Sequence, residues 1–373
     1  MARAALERNP FQPGAGARPP LLAGRDPERA LAKERLALLE TGRRPSQGVL
    51  FLGPRGNGKT SLLDDIADDA RRRRIRAEDL SVSSFDNREI LIGRLGGKAR
   101  VTGDRLQQAQ FAGAGVAVRP GPPPGDAADL LARWIAADKA PLVILLDEVQ
   151  AVPSVAGRMF FGAVQAATRQ ELPFLLLAAG TPDAPRRLRA TGTFTERMFR
   201  QIPVGRLQRE ETARALAEPA ADAGMPLTDA AAAHLAEESQ DSPSFIQMLG
   251  RAAWEEAVRA GAPGIRLESA RAGSASVRPE LERFYSARLQ EARSRGVHRA
   301  LPTLAALCAR QGGRLAAADL DRFLADASGG SGEADLLAAL TDLGVLWETP
   351  DGWEMGIPSF GDYLLRTFRI RNT

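Results

Sequence analysis

Gly48-Val-Leu-Phe-Leu52 runs into Gly53-Pro-Arg-Gly-Asn-Gly58-Lys59-Thr60, and a helical pattern follows from Thr60 to Arg74. The apolar run reads as a buried strand, the turn as GxxxxGK[ST], and the remainder as a helix. Each residue type has a reason. Amide groups of a glycine-containing loop can turn inward where no side chain blocks them, and they then converge on phosphate oxygens. The helix that starts there adds the positive end of its dipole. Lys59 would place a compact charge on the β- and γ-phosphates, and the Thr60 hydroxyl would ligate magnesium. The candidate nucleotide-binding set is Gly53, Pro54, Arg55, Gly56, Asn57, Gly58, Lys59, Thr60 and Ser61.

A second element supports the first. Val143-Ile-Leu-Leu146 is apolar throughout, as a strand covered on both faces should be, and Asp147-Glu148 follows it. Ligands of open α/β sheets bind at the carboxyl ends of strands. Asp147 would hold magnesium through water there, and Glu148 would orient or deprotonate an attacking water. Alone, two acids at a strand end are ordinary solvated residues. Downstream of a phosphate-binding turn they read as the hydrolytic pair, so ATP and Mg2+ are the expected cofactors.

The rest of the chain fits an α/β fold, a P-loop parallel sheet flanked by helices, with a helical region and a C-terminal winged helix behind it. Pro141–Leu146 and Pro173–Ala179 read as further buried strands, with helices at Asp126–Asp138 and from Val155 to Gln170. Residues 1–20, rich in proline and glycine, form an extended arm; 21–205 the nucleotide domain; 206–275 an alanine-rich helical domain; and 276–373 the winged helix. Helical segments are expected at Glu280–Arg295, Leu301–Arg310, Ala316–Ala325 and Glu333–Leu343, ahead of a hairpin turning at Asp351-Gly352. Residues 96–125 read as a surface hairpin or a loop.

Composition excludes several classes. The chain is 44% hydrophobic and 26% charged, with a net charge of +4, so global charge makes no case for nucleic acid. The single cysteine, Cys308, cannot form an internal disulfide and suits a reducing compartment. The longest apolar runs are too short to span a bilayer, and the N-terminus lacks the apolar stretch of a signal peptide. A cytoplasmic protein without membrane contact is expected. His234 and His298 have no metal-ligand spacing.

The two motifs together resemble those of the AAA+ ATPases, and within them the branch of origin-recognition and initiator-type proteins and their bacterial relatives. The resemblance spans residues 10–365 and includes the Gly24-Arg25-Asp26 box before the first helix. It implies that residues 206–275 act as a lid over the nucleotide. It also implies further site residues. Thr181, after the strand Phe174–Ala179, stands where such proteins sense the γ-phosphate; Thr181-Pro182 also suits a plain turn. Arg197, in Phe194-Thr-Glu196-Arg197, matches an arginine that reaches a neighbouring subunit's nucleotide and implies self-association in trans; a salt bridge to Glu196 or Glu210 is the alternative. Arg25 would lie near the adenine or else cap the arm. One position departs from the pattern. Ser244 stands where many relatives carry a lid arginine, which favours slow switching over processive motor action.

The expected partner is a protein, docking through the lid or the winged helix. DNA is the less favoured partner. The third winged-helix segment, Glu333–Asp342, holds three acids and no base, and carboxylates repel phosphates. Arg278, Arg283, Arg288, Arg293 and Arg295 keep the DNA reading open, although Glu280, Glu282 and Glu291 are interleaved with them. Three readings follow: an ATP-driven switch, an initiator-like DNA-binding ATPase, and a STAND-like signalling or defence ATPase.

Overall fold

The computed structural model describes residues 6–14, 16–86, 91, 127–136, 140–192, 194–328, 332–349 and 351–370. The segment at 96–125 lies outside them.

Five parallel strands form the central sheet: β1 (Gly48–Leu52), β2 (Arg76–Leu80), β3 (Leu142–Leu146), β4 (Phe174–Gly180) and β5 (Phe199–Pro203), in the order 2-3-4-1-5. The three middle strands are the apolar runs. Their residues alternate between two packed layers, so both faces demand hydrophobic side chains. Leu50, Ile144 and Leu176 pack beneath α3 (Ala127–Ala136) and α4 (Ser154–Arg169). Phe51, Val143 and Leu177 pack beneath α1 (Asp26–Glu40) and α2 (Lys59–Arg72). The sheet edges were not expected from the sequence. In β2 (Arg-Ala-Glu-Asp-Leu) and β5 (Phe-Arg-Gln-Ile-Pro) most residues are only half-buried or exposed, and each strand pairs on one side alone. Polar edge strands also discourage pairing with a second chain.

Parallel register sets up the site. Leu52 lies beside Gly180, and Leu146 beside Ala178, so the chain leaves β1, β3 and β4 at one edge of the sheet. Two short helices, α5 (Ala184–Arg189) and α6 (Thr195–Met198), then lead into β5.

Beyond β5 come α7 (Arg209–Asp222), α8 (Asp229–Ser239) and α9 (Pro243–Arg259), followed by α10 (Leu267–Ser294). The helix expected to begin at Glu280 is therefore longer. It runs as one 28-residue element through residues 275 and 276, with Pro279 inside it. Proline removes one amide donor from a helix interior, which makes such a sequence read as a break. Tertiary packing holds the helix together. Ala270 and Val277 belong to the core of the helical domain, whereas Tyr285, Leu289 and Ala292 belong to the next core.

The final domain comprises α11 (Leu301–Arg310), β6 (Arg314–Leu315), α12 (Ala317–Ala327), α13 (Glu333–Asp342), the hairpin β7 (Leu346–Thr349) and β8 (Gly352–Met355), and α14 (Phe360–Thr367). Its small sheet is antiparallel with order β6-β8-β7, the form of a winged helix. Trp347 is buried, and Trp353 packs against the same core. Cys308 is buried too, and burial pushes its thiol up to about 12, so the thiolate is absent near neutrality. Among the described residues, no helix is long and apolar enough to cross a membrane.

The N-terminal arm closes over the helical domain. Phe11 is 2% exposed and lies in that domain's core, so close to Gly250 that a Cβ there would fall 2.7 Å from the ring. The Gln12 amide donates to Gln247 Oε1 at 3.0 Å. Further on, Arg18 pairs with Asp68 of α2 at 2.5 Å. The arm thus bridges the helical domain and the nucleotide domain. Phe11→Ala should destabilise the protein by about 3 kcal/mol, the low end for truncating a buried phenylalanine. Urea unfolding with an unchanged m-value measures it.

Candidate nucleotide-binding and hydrolysis site

The turn between β1 and α2 is built to leave its amide groups free. Gly56 and Gly58 adopt φ of 86° and 80°, which side chains resist. Gly53 has a second reason to be glycine. A Cβ there would sit 2.1 Å from the Val204 carbonyl, and the Gly53 amide donates to Gly180 O at 3.2 Å. The loop is held from behind. Asn57 Nδ2 donates to Val204 O at 3.2 Å. Arg25 Nη2 donates to Asn57 O at 2.9 Å and to Gly205 O at 2.7 Å. Arg25 lies in the wall of the cleft, but its guanidinium is buried and tied to these carbonyls and to Gly24 O at 3.4 Å. It braces the turn. Gly24 continues the brace, since its amide donates to Glu211 Oε2 of α7 at 2.8 Å.

Lys59 is 6% exposed, and its ammonium donates to the carbonyls of Gly53 and Pro54 at 2.8 Å each. Burial lowers its pKa to about 8, with Glu148 and Asp147 opposing the shift. The Thr60 hydroxyl donates to Asp147 Oδ2 at 2.5 Å, and Asp147 Oδ1 accepts from the Glu148 amide at 2.8 Å. A hydroxyl and a carboxylate converging beside a phosphate cradle form the all-oxygen set that magnesium takes, with phosphate and water completing the shell. Thr60 and Asp147 therefore fit the metal. No three-residue cluster of histidine, cysteine and carboxylates occurs among the described residues, and this kind of site requires none.

Glu148 occupies left-handed backbone, φ 51°, a conformation that costs a side-chain-bearing residue energy and that is sparsely populated by non-glycine residues. Its carboxylate accepts from Gln150 Nε2 and lies 4.0 Å from Arg55 Nη2. Gln150 Oε1 in turn accepts from the Thr181 amide at 3.2 Å. Gly180 leaves room for this bridge, because a Cβ there would come 3.0 Å from Gln150 Oε1. The Thr181 hydroxyl donates to Asp183. Gln150 and Asp183 were missed by sequence reasoning; only their closeness to Glu148 and Thr181 hinted at them.

A cleft of about 420 Å³ is walled by Gly56–Ser61, Glu148, Arg25, the arm and α9. Its arm side is apolar at Pro19, Leu21 and Leu22, suited to a base, while its far end is the phosphate cradle. Ser244 reaches the cradle directly. Its amide donates to Gly56 O at 3.0 Å, and its hydroxyl would lie 2.3 Å from a Cβ at Gly56. The helical domain thus touches the turn through the main chain, without an arginine. Arg197 stands apart. It precedes β5 at the opposite edge of the sheet, is exposed, and its guanidinium pairs with no described residue; its main chain is engaged, the amide donating to Phe194 O at 3.1 Å and the carbonyl accepting from Gln47 Nε2 at 2.9 Å. The structure brings together every other candidate.

No family model and no curated protein matches the chain. Solved structures do. The Holliday junction branch migration motor RuvB of Thermotoga maritima superposes with a TM-score of 0.51 at 15% identity, covering 94% of this chain and 96% of that one. A Walker-type ATPase of Pyrococcus abyssi superposes with a TM-score of 0.56 at 16% identity, covering 91% and 95%. The Orc1 protein of Aeropyrum pernix, solved in complex with DNA, is 20% identical with a TM-score of 0.47, covering 95% and 96%.

The Lys59 pKa yields a signed expectation. The empty protein sheds the Lys59 proton as pH rises past about 8, whereas a bound triphosphate stabilises the ammonium and raises its pKa again. Binding then takes up a proton, and nucleotide affinity falls as pH rises from 8 toward 10. Calorimetry at pH 9 in buffers of different ionisation enthalpy should record net proton uptake by the wild type.

At identities this low the likeness concerns the fold alone, and that fold is the one shared by the AAA+ P-loop ATPases.

Proposed function

We propose that the protein binds ATP with magnesium, hydrolyses it slowly, and uses the nucleotide state as a switch for assembly with a partner protein. The observation that carries this reading is the meeting of Thr60 Oγ1 and Asp147 Oδ2 at 2.5 Å beside the buried Lys59 ammonium. Such a set has little use except to hold a metal and a polyphosphate. When bound, magnesium neutralises charge on the phosphate oxygens. The chain's own residues do the rest. The amides of the turn hold the phosphates, and Lys59 exchanges its two carbonyl partners for phosphate oxygens. Glu148, freed from Gln150, accepts the proton of the attacking water. Thr181, at the end of β4, positions the terminal phosphate. Arg197 is free to serve a neighbouring subunit, which makes self-association part of the proposal.

Slow turnover is supported by two features. No arginine stands at Ser244, and the Glu148 carboxylate is engaged by the Gln150 amide. A protein partner is supported over DNA by α13, whose exposed first turn carries Glu333 and Asp335. Two of the arginines in and just after α10 are also accounted for: Arg288 and Arg295 both pair with Glu291.

Lys59→Ala should abolish nucleotide binding. Glu148→Gln should bind ATP as the wild type does and lose turnover by about 10²-fold or more. Filter binding with labelled ATP and a phosphate-release assay test both; equal turnover by Glu148→Gln and wild type would remove Glu148 from the mechanism.

A further inference from the structure

We propose that the docked winged helix holds the hydrolytic site in check, with Asp342 as the latch and Arg187 and Asp183 as the link to Thr181. The proposal rests on the ATPase reading above and deepens it by naming the control of that site.

Asp342 is the last residue of α13, where the negative end of the helix dipole disfavours a carboxylate. Its side chain is 12% exposed and lies among three guanidinium groups. Arg186 Nη2 reaches both carboxylate oxygens at 2.6 Å, Arg187 Nη2 lies at 3.7 Å and Arg295 Nη1 at 3.8 Å. Two of these arginines belong to α5, which starts three residues after Thr181. Arg187 faces two ways. Its Nε donates to Asp183 Oδ2 at 2.6 Å, and the other Asp183 oxygen accepts the Thr181 hydroxyl proton. The Thr181 amide is bound to Gln150, whose own amide engages Glu148. An unbroken run of contacts therefore joins a winged-helix carboxylate to both groups expected at the terminal phosphate. In the docked state the Thr181 hydroxyl and the Glu148 carboxylate each have a protein partner.

The other attachment of the winged helix has a different character. Arg206, in the segment after β5, donates to Met355 O at 2.7 Å and lies 3.8 Å from Glu354, and Gln240 Oε1 accepts from the Ser359 amide at 3.0 Å. Arg206 is more enclosed than Arg186 and Arg187, whose side chains are 49% exposed. Water and salt reach the Asp342 ion pairs through these half-exposed guanidinium groups and weaken them, whereas the Arg206 bond to a carbonyl is shielded. The domain is thus held by a firm pivot at Arg206 and a breakable catch at Asp342. Between them lies a crevice of about 470 Å³, lined by Arg55, Thr181, Phe284 and Ile357, into which the domain can shift.

Full-length Asp342→Asn and Arg187→Gln test this. Spin labels at Arg169→Cys and Ala334→Cys, with Cys308→Ser, report docking by their separation, and phosphate release reports turnover. Asp342→Asn should lengthen and broaden the label distance and raise turnover by about fivefold or more, the lower end of ordinary coupling between sites. Arg187→Gln should raise turnover while the distance stays that of the wild type, since Arg186 keeps Asp342 in place. Asp342→Glu should behave as the wild type in both. An unchanged distance in Asp342→Asn would overturn the latch, and a lengthened distance with unchanged turnover would overturn the link. A wild type that binds no nucleotide would refute the ATPase reading instead, and the label distances would still judge the latch.

Discussion

The turn between β1 and α2 must offer its amide groups to an anion while its own carbonyls are held from behind. Much of the surrounding structure follows from that constraint. Arg25, Asn57 and Val204 fasten the loop to the segment after β5, and the Gly53 amide fastens it to the end of β4. Lys59 is the most exacting element. A buried ammonium is costly unless it is hydrogen-bonded, and two loop carbonyls accept from it here. The same burial that lowers its pKa gives it a strong preference for a phosphate.

Three outlying parts of the chain converge on this turn. The arm walls the base side of the cleft, Ser244 of α9 bonds the Gly56 carbonyl, and Gly356 of the winged helix lies against Pro54, where an added Cβ would be 3.6 Å from the ring. A ligand at such a meeting point can bias how the domains sit, because its contacts differ between open and closed arrangements. Apolar packing joins the arm to the helical domain, whereas ion pairs between half-exposed arginines and Asp342 join the winged helix to α5. Motion is expected at the second junction.

The sequence showed those features whose cause is local. Buried central strands must be apolar on both faces, so β1, β3 and β4 stood out, and the phosphate turn is defined by neighbouring residues. Asp351-Gly352 marked the hairpin for the same reason. Strands β2 and β5 were hidden because an edge strand has one partner and keeps polar side chains. The continuity of α10 was hidden because Pro279 argues locally for a break, and only packing against two cores overrides it. The partnerships of Arg25, Gln150 and Asp342 were not legible either. Arg25 bonds a carbonyl 180 residues away, and Asp342 meets an arginine 156 residues away, separations that no motif spans.

The account is tested most directly by a crystal structure of the protein with magnesium and a non-hydrolysable ATP analogue. It predicts the phosphates against the amides of Gly56–Thr60, Lys59 Nζ turned from the Gly53 and Pro54 carbonyls onto them, and the metal between Thr60 and Asp147. An empty turn, with Lys59 still bonded to those two carbonyls and the analogue lodged elsewhere, would contradict it.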